Sequence, residues 1–335
     1  MGRVSTHYAN RAFAPAVQAS HCGSRAGAGL LWLALLAIAS ATVASGVHAA
    51  ASMAYGAPPA AIVEGVVMPA WLERGGTRQP VFPGMVLQER DRIETGANAR
   101  ILLTLPEGSK VKLGESAQLG FDALVAKREG QDGNVFLKST LSVVTGAFRF
   151  TTNALSKARS RREVDIRLAT VTAGIRGTDL WGKQGGAKEI VCLLEGKIEV
   201  ARDSVAGQNT TPVVLDQPLQ FYIAPKGEPT LPIGRVPEAQ LAQWEAETDI
   251  TQNAGGASVD GRWKIRFDTQ TKFAEAMALY EDLRNQGYAA QLRPEKKAGK
   301  RIYVVQLANL SSEGDARALA NKLGASTNAL PSVSR

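Results

Sequence analysis

The feature that most constrains this chain is a series of short alternating runs between residues 61 and 203, broken by glycine-bearing turns. Arg100-Ile101-Leu102-Leu103-Thr104-Leu105 is followed by Pro106-Glu107-Gly108-Ser109 and then by Lys110-Val111-Lys112-Leu113. That reads as two strands joined by a turn. Gly146-Ala147-Phe148-Arg149-Phe150 puts both Phe on one face. Val164, Ile166 and Leu168 alternate with Asp165 and Arg167, as in a half-buried strand. Ile190, Cys192 and Leu194 share a parity before Glu195-Gly196-Lys197 turns the chain into Ile198-Glu199-Val200. No helical period runs through this stretch, so 61–203 is expected to be all-β. Gly96, Gly108, Gly177 and Gly196 are expected at turns that need φ > 0.

The last 75 residues follow a different rhythm. Trp263 to Phe267 alternates. Thr271 can cap a helix with Phe273, Ala276, Tyr280 and Leu283 inward, ended by Gly287. Tyr288–Arg293 reads as a second strand, Glu295–Lys300 as a basic turn and Arg301–Leu307 as a third strand. Ser312 opens a helix with Ala316, Leu319, Ala320 and Leu323 inward, and a weak strand is expected within 326–333. The order is β-α-β-β-α-β, an α+β, ferredoxin-like layout. Between the two regions, 204–260 reads as a connector with one added strand at Leu219–Ile223. A short helix follows from Pro237, with Leu241 and Trp244 on one face. Asn253–Ser258 reads as a flexible linker.

Residues 1–49 have the order of a signal peptide. A basic, acid-free stretch with Arg3, Arg11 and Arg25 precedes the apolar Leu30–Ile38, and Val47-His48-Ala49 resembles a cleavage site. The expected location is the periplasm. The alternative is an uncleaved anchor that leaves the chain on the membrane. No later stretch is apolar enough to span one.

Composition narrows the chemistry. The formal net charge is +8, and three of the positives lie in the N-terminal stretch, which leaves a mild excess that does not demand nucleic acid. The three histidines, His7, His21 and His48, all fall in the expected signal. His-based catalysis and His metal sites are therefore not expected in the mature chain. Cys192 sits in an apolar run and reads as a buried structural thiol. No acid pair stands out, so the chain is expected to be no enzyme and to need no cofactor and no metal.

Several runs carry a family resemblance. Gly84-Met85-Val86-Leu87-Gln88-Glu89-Arg90-Asp91-Arg92-Ile93-Glu94-Thr95-Gly96 resembles the opening of a FecR domain. Leu105–Ser109 resembles its acid-Gly-Ser turn, Thr172–Asp179 its Arg-Gly-Thr motif, and Leu193–Val200 its closing hairpin. Arg176 reads as an ion-pair partner of Asp179 that pins a bend, or alternatively as a ligand-binding arginine. Lys157–Arg162 reads as a solvated basic loop, or as a contact for an anionic polymer. FecR-like proteins that relay signals to a sigma factor need a cytoplasmic domain and a full span. Residues 1–29 are too few to form such a domain, so that role is not carried over.

Residues 261–335 resemble the SPOR domain through Gln286–Ala290, Tyr303–Leu307 and Ser312–Ala316. The resemblance implies binding of peptidoglycan glycan strands stripped of their peptides, at division sites. The sequence departs from the family at Arg266, where Gln is usual, and at Asp268, where Gly is common. Strand parity places Lys264, Arg266, Gln291, Arg293, Ile302, Val304 and Gln306 on the open sheet face. Arg can hold a glycan carboxylate and Gln can serve hydroxyls. A plain solvated face is the alternative. That face offers no aromatic for base stacking, so single-stranded RNA is not an expected partner. The leading expectation is a two-domain peptidoglycan-associated binding protein, with a further envelope ligand or protein partner for the β domain. A membrane-anchored sensor and an envelope scaffold are the alternatives.

Overall fold

The computed structural model describes residues 60–129, 134–152, 160–175, 177–204, 211–270, 272–327 and 331–335. The expected signal peptide, its histidines, Arg176 and Thr271 lie outside these residues.

The N-terminal part contains strands β1 (Ala61–Val67), β2 (Ala70–Arg74), β3 (Thr77–Pro80), β4 (Val86–Leu87), β5 (Arg92–Thr95), β6 (Arg100–Thr104), β7 (Lys110–Leu113), β8 (Gln118–Glu129) and β9 (Asn134–Thr151). It continues with β10 (Ser160–Arg167), β11 (Val171–Ile175), β12 (Asp179–Gln184), β13 (Lys188–Glu195), β14 (Ile198–Arg202), β15 (Val213–Leu215), β16 (Gln220–Pro225), β17 (Gly234–Arg235) and helix α1 (Glu238–Ala246). The C-terminal part holds β18 (Gly256–Ser258), β19 (Trp263–Gln270), α2 (Phe273–Asn285), β20 (Gln291–Lys297), β21 (Lys300–Leu310), α3 (Glu313–Thr327) and β22 (Pro331–Ser334).

Two sheets form the N-terminal part. One runs β17-β16-β13-β12-β9-β7-β6-β1, with β4 and β18 both on the far edge of β1. The other runs β3-β2-β5-β8-β9-β10-β11-β14-β15. Strand β9 belongs to both. Its first part, through Thr145, pairs with β8 and β10, and its last six residues pair with β7 and β12. The changeover falls at Gly146, whose φ of +90° suits only glycine. Alternating apolar residues fill one core between the sheets, including Val63, Ile101, Phe148 and Phe150 from the first and Leu72, Ile93, Leu119 and Val164 from the second. Each fully buried large side chain there stabilises the fold by about 1.5–3 kcal/mol.

Turn glycines follow expectation at Gly108, Gly177 and Gly196, all at positive φ. Gly96 differs. It has no positive φ, and its need for glycine is steric, since a Cβ there would stand 2.9 Å from Pro69. The basic run read as a loop is partly strand, because Ser160–Arg162 opens β10, parallel to β9. Lys157–Arg159 lies outside the described residues.

Residues 204–260 are more than a connector. β15, β16 and β17 extend the two sheets, and α1 lies across the outer face of the first. Trp244 stacks on Trp181 with ring centroids 4.6 Å apart and planes 4° apart, and Phe221 meets Trp244 edge-on. Leu241 and Trp244, the helix face expected from the sequence, join Trp181, Cys192 and Ile190 in a second apolar cluster. The helix tail is zipped to the sheet by Arg149–Glu245 at 2.8 Å, Lys183–Glu247 at 2.7 Å and Lys112–Asp249 at 2.6 Å. Pro237 is the N-cap residue rather than the first helical position.

The expected flexible linker is the largest departure. Gly256–Ser258 is strand β18, paired with Gly65–Val67 of β1 and, through Ala257, with Leu310 of β21. It is held because β1 and β21 offer it backbone partners at once. Residues Met53–Arg335 accordingly form one compact unit, and its apolar core runs on from the β-sandwich into Ile265, Phe267, Ala276 and Leu323. A second contact joins the two parts. The Ala70 N–H donates to the Gly287 carbonyl at 3.1 Å, the Trp71 indole N–H donates to the Asn285 carbonyl at 3.4 Å, and Gly287 packs under Trp71. No helix among the described residues is long and apolar enough to cross a membrane.

Candidate functional site

The C-terminal module arranges four strands as β22-β19-β21-β20, all antiparallel, with α2 and α3 against one side. Alternation decides the sides. Ile265, Phe267, Val305 and Leu307 are buried in the core, and Trp263, Leu292, Tyr303 and Val333 pack against it. The residues between them face the other way. The second strand begins at Gln291, later than the sequence suggests, and runs to Lys297, so the hairpin turn shrinks to Ala298-Gly299. Tyr288 and Ala290 are buried all the same, in the approach to that strand.

On the polar side one row of side chains crosses all four strands. Ser332 is the direct partner of Arg266, Arg266 of Gln306, and Gln306 of Gln291. In the next rows Val304 opposes Arg293 and Ile302 opposes Glu295, while Lys264 opposes Ser334. All seven residues expected on this face are therefore on it, but they are not equally accessible. Gln291 and Arg293 are exposed, and Lys264, Arg266 and Ile302 are half-buried. Val304 and Gln306 are corrections. Val304 is fully buried and Gln306 is 6% exposed, because β21 is an inner strand flanked on both edges by β19 and β20. Gln306 donates from Nε2 to Gln291 Oε1 at 3.1 Å, and Arg293 donates to that same oxygen at 3.2 Å. Both therefore support Gln291 and the floor of the face.

Sequence reasoning missed Glu295. Assigned to a turn, it is in fact on the strand with the parity of Gln291 and Arg293, and it accepts from Arg266 at 2.6 Å. The extended parity 291, 293, 295 is the signal that could have found it. Arg266 thus already holds one carboxylate, and an incoming acid competes with it. Ser332 and Ser334 of β22 were also missed. The accessible part of the face offers guanidinium and ammonium groups, the Gln291 amide and the Ser332 hydroxyl, a set that recognises carboxylates and hydroxyls together, while the Ser334 hydroxyl is buried. Among the described residues no group of His, Cys, Asp and Glu could hold a metal ion.

The module is fixed to the rest by Asp315. Ser312 accepts the Asp315 N–H at 3.0 Å and donates to the Asp315 carboxylate at 2.6 Å, which caps α3. The other carboxylate oxygen of Asp315 accepts the N–H groups of Gly255 and Gly256 at 3.1 and 3.0 Å.

The family comparison decides what these two parts are. The model described as FecR protein matches residues 91–199, and the SPOR domain model matches residues 260–333. The chain carries a FecR domain and a SPOR domain. The polar four-strand face is the helix-free side of the SPOR domain, and β18 is the seam between that domain and the FecR sheet. No curated protein matches the chain. Among solved structures, two crystal structures of a protein described as an anti-sigma factor from Parabacteroides distasonis align at 16% identity. They cover 71% of this chain and 92% and 91% of theirs, with TM-scores of 0.34 and 0.35, and at that level the likeness carries no argument about this chain.

In the FecR domain the motif acid Asp179 is partnered by Arg149, whose Nε and Nη2 donate to it at 3.0 and 2.8 Å. The Asp179 hydrogen bond raises the Arg149 pKa against the burial that lowers it. The ion pair expected from Arg176 lies outside the described residues. Arg149 also reaches Glu245, so this cluster holds α1 in place. Cys192 is fully buried, and burial pushes its thiol up to about 12, in keeping with a structural role.

Proposed function

We propose that this chain is a non-catalytic cell-envelope protein that binds peptidoglycan glycan strands on the polar face of its SPOR domain. The observation that carries the reading is the unbroken polar row Ser332, Arg266, Gln306 and Gln291 across four strands. Denuded glycan presents lactyl carboxylates and many hydroxyls. Arg266 and Arg293 suit the former, and Gln291 and Ser332 of β22 suit the latter. Binding exchanges the internal Glu295 partner of Arg266 for a glycan carboxylate. The FecR domain is the platform from which this face projects, and it engages a second envelope ligand. The chain acts in the periplasm after export through its N-terminal signal.

A regulator or sensor reading is favoured by one observation. The FecR and SPOR domains are joined through β18 and the Trp71–Gly287 contact, so a change on one domain has a structured path to the other. Retention of residues Met53–Arg335 on amidase-treated sacculi tests the glycan reading. The expected result is retention that is lost in Arg266→Ala with Arg293→Ala. Absence of retention of the parent protein would end the proposal.

A further inference from the structure

The hairpin that joins β20 and β21 ends in two successive cross-strand pairs of like charge. Lys296 is directly opposite Arg301, and Lys297 is directly opposite Lys300. All four are exposed, and none has an ion pair among the described residues. The nearest acid on the hairpin, Glu295, is engaged by Arg266. Like charges directly opposed weaken a ladder. The two-residue turn between them also places Ala298, a residue with a Cβ, at φ +49° beside Gly299 at +76°. Local stability therefore does not account for this tip.

Alternation sets where the cations point. Lys297 and Lys300 share the polar face with Arg293, while Lys296 and Arg301 lie on the helix side. A glycan lying flat on the polar face could meet only one of these pairs. An extended anionic surface approached end-on meets all four. An aromatic pair stands on the helix side of the same tip. Tyr303 lies two residues along β21 from Arg301, and its ring is met edge-on by Phe273 at 5.2 Å. Phe273 is 50% exposed. Cations with an exposed aromatic beside them match a bilayer interface, where the ring enters the headgroup boundary and the cations meet phosphates.

We propose that the β20–β21 hairpin tip, together with Phe273, is a second binding site on this protein, for the phosphate headgroups of an anionic bilayer surface. The site is separate from the glycan face and does not depend on residues 30–50 as an anchor.

The test is co-sedimentation of Met53–Arg335, the compact unit that contains both apolar clusters, with phosphatidylglycerol vesicles and with phosphatidylcholine vesicles. The expected result is binding to the anionic vesicles at low salt and release near 0.5 M salt, roughly where the Debye length falls below 5 Å. Each tip cation is worth about fivefold in partitioning, so Lys296→Gln with Arg301→Gln lowers vesicle binding by roughly 25-fold. Phe273→Ser weakens it further, and retention on amidase-treated sacculi is unchanged in every variant. Equal binding to neutral vesicles, no binding to anionic ones at low salt, or wild-type binding by the double variant would each overturn the proposal. So would parallel loss of sacculus retention in the double variant, which would assign the tip to the glycan site. Failure of the parent to bind sacculi leaves the vesicle result to be read alone.

Discussion

The carboxylate of Asp315 accepts the backbone N–H of Gly256 at 3.0 Å, so the first turn of a SPOR helix holds the strand that reaches into the FecR sheet. The same side chain also serves Gly255 and Ser312. Removing it leaves two buried donors without their acceptor and strips a helix cap. Asp315→Ala is expected to lower stability by about 3 kcal/mol in chemical denaturation. Amide exchange at Gly256–Ser258 should speed up first. Asp315→Asn, which keeps an acceptor, should lose less.

Gly287 has a φ of +86°, and a Cβ there would stand 2.6 Å from the Trp71 ring and 2.9 Å from Pro69. Gly287→Ala must strain the backbone and push Trp71 aside. The expected loss is about 2–4 kcal/mol, read as a lowered Tm, with increased quenching of Trp71 fluorescence as its cover opens.

Trp244→Ala removes the stack on Trp181 and the edge contact with Phe221. A loss of about 2–3 kcal/mol is expected. Because α1 buries no residue completely, the ion pairs at its tail cannot hold it alone. Limited proteolysis should then cut between residues 238 and 250 before the sheets unfold.

Glu295→Gln releases Arg266 from its internal carboxylate. If the polar face binds glycan as proposed, this variant should bind denuded glycan oligosaccharides several-fold more tightly, and Arg266→Ala about 10- to 100-fold more weakly, in calorimetric titration. Equal affinity of Glu295→Gln and parent would show that Arg266 does not meet the ligand.

Cys192 titrates at about 12 in the folded protein because burial disfavours its thiolate, against about 8.5 in an unfolded chain. A folded pKa above the unfolded one gives stability that is complete below the unfolded value and is lost as pH rises towards the folded one. Stability should therefore fall between about pH 8.5 and 12, and Cys192→Ala should flatten that part of the profile. Alkylation of Cys192 by iodoacetamide at pH 8 should require denaturant.

What the sequence made legible was periodic. Alternation of period two located the FecR strands around Ile101, Val164 and Cys192, and it put all seven candidate residues on the correct side of the SPOR sheet. The inward faces of α1 and α3 were equally plain from Trp244 and Leu319. Burial on the polar side was not legible, because parity says which way Val304 points and nothing about whether its strand is an inner or an edge strand. Glu295 was missed because charge and a nearby Gly suggested a turn, while the ladder continues two residues further. Asn253–Ser258 was misread for a related reason. Small residues mark a slack tether and a buried strand alike, and only the partners β1 and β21, far away in sequence, distinguish the two.

Strand β18 also has a mechanical consequence. If the SPOR face is fastened to the wall while the FecR domain is held elsewhere, tension between the two cannot be taken up by unreeling a loose tether. It is borne at once by the backbone rungs from Gly65 to Val67 and by the Trp71 contact, so the protein should behave as a stiff bracket, transmitting displacement of the wall to whatever the FecR domain grips.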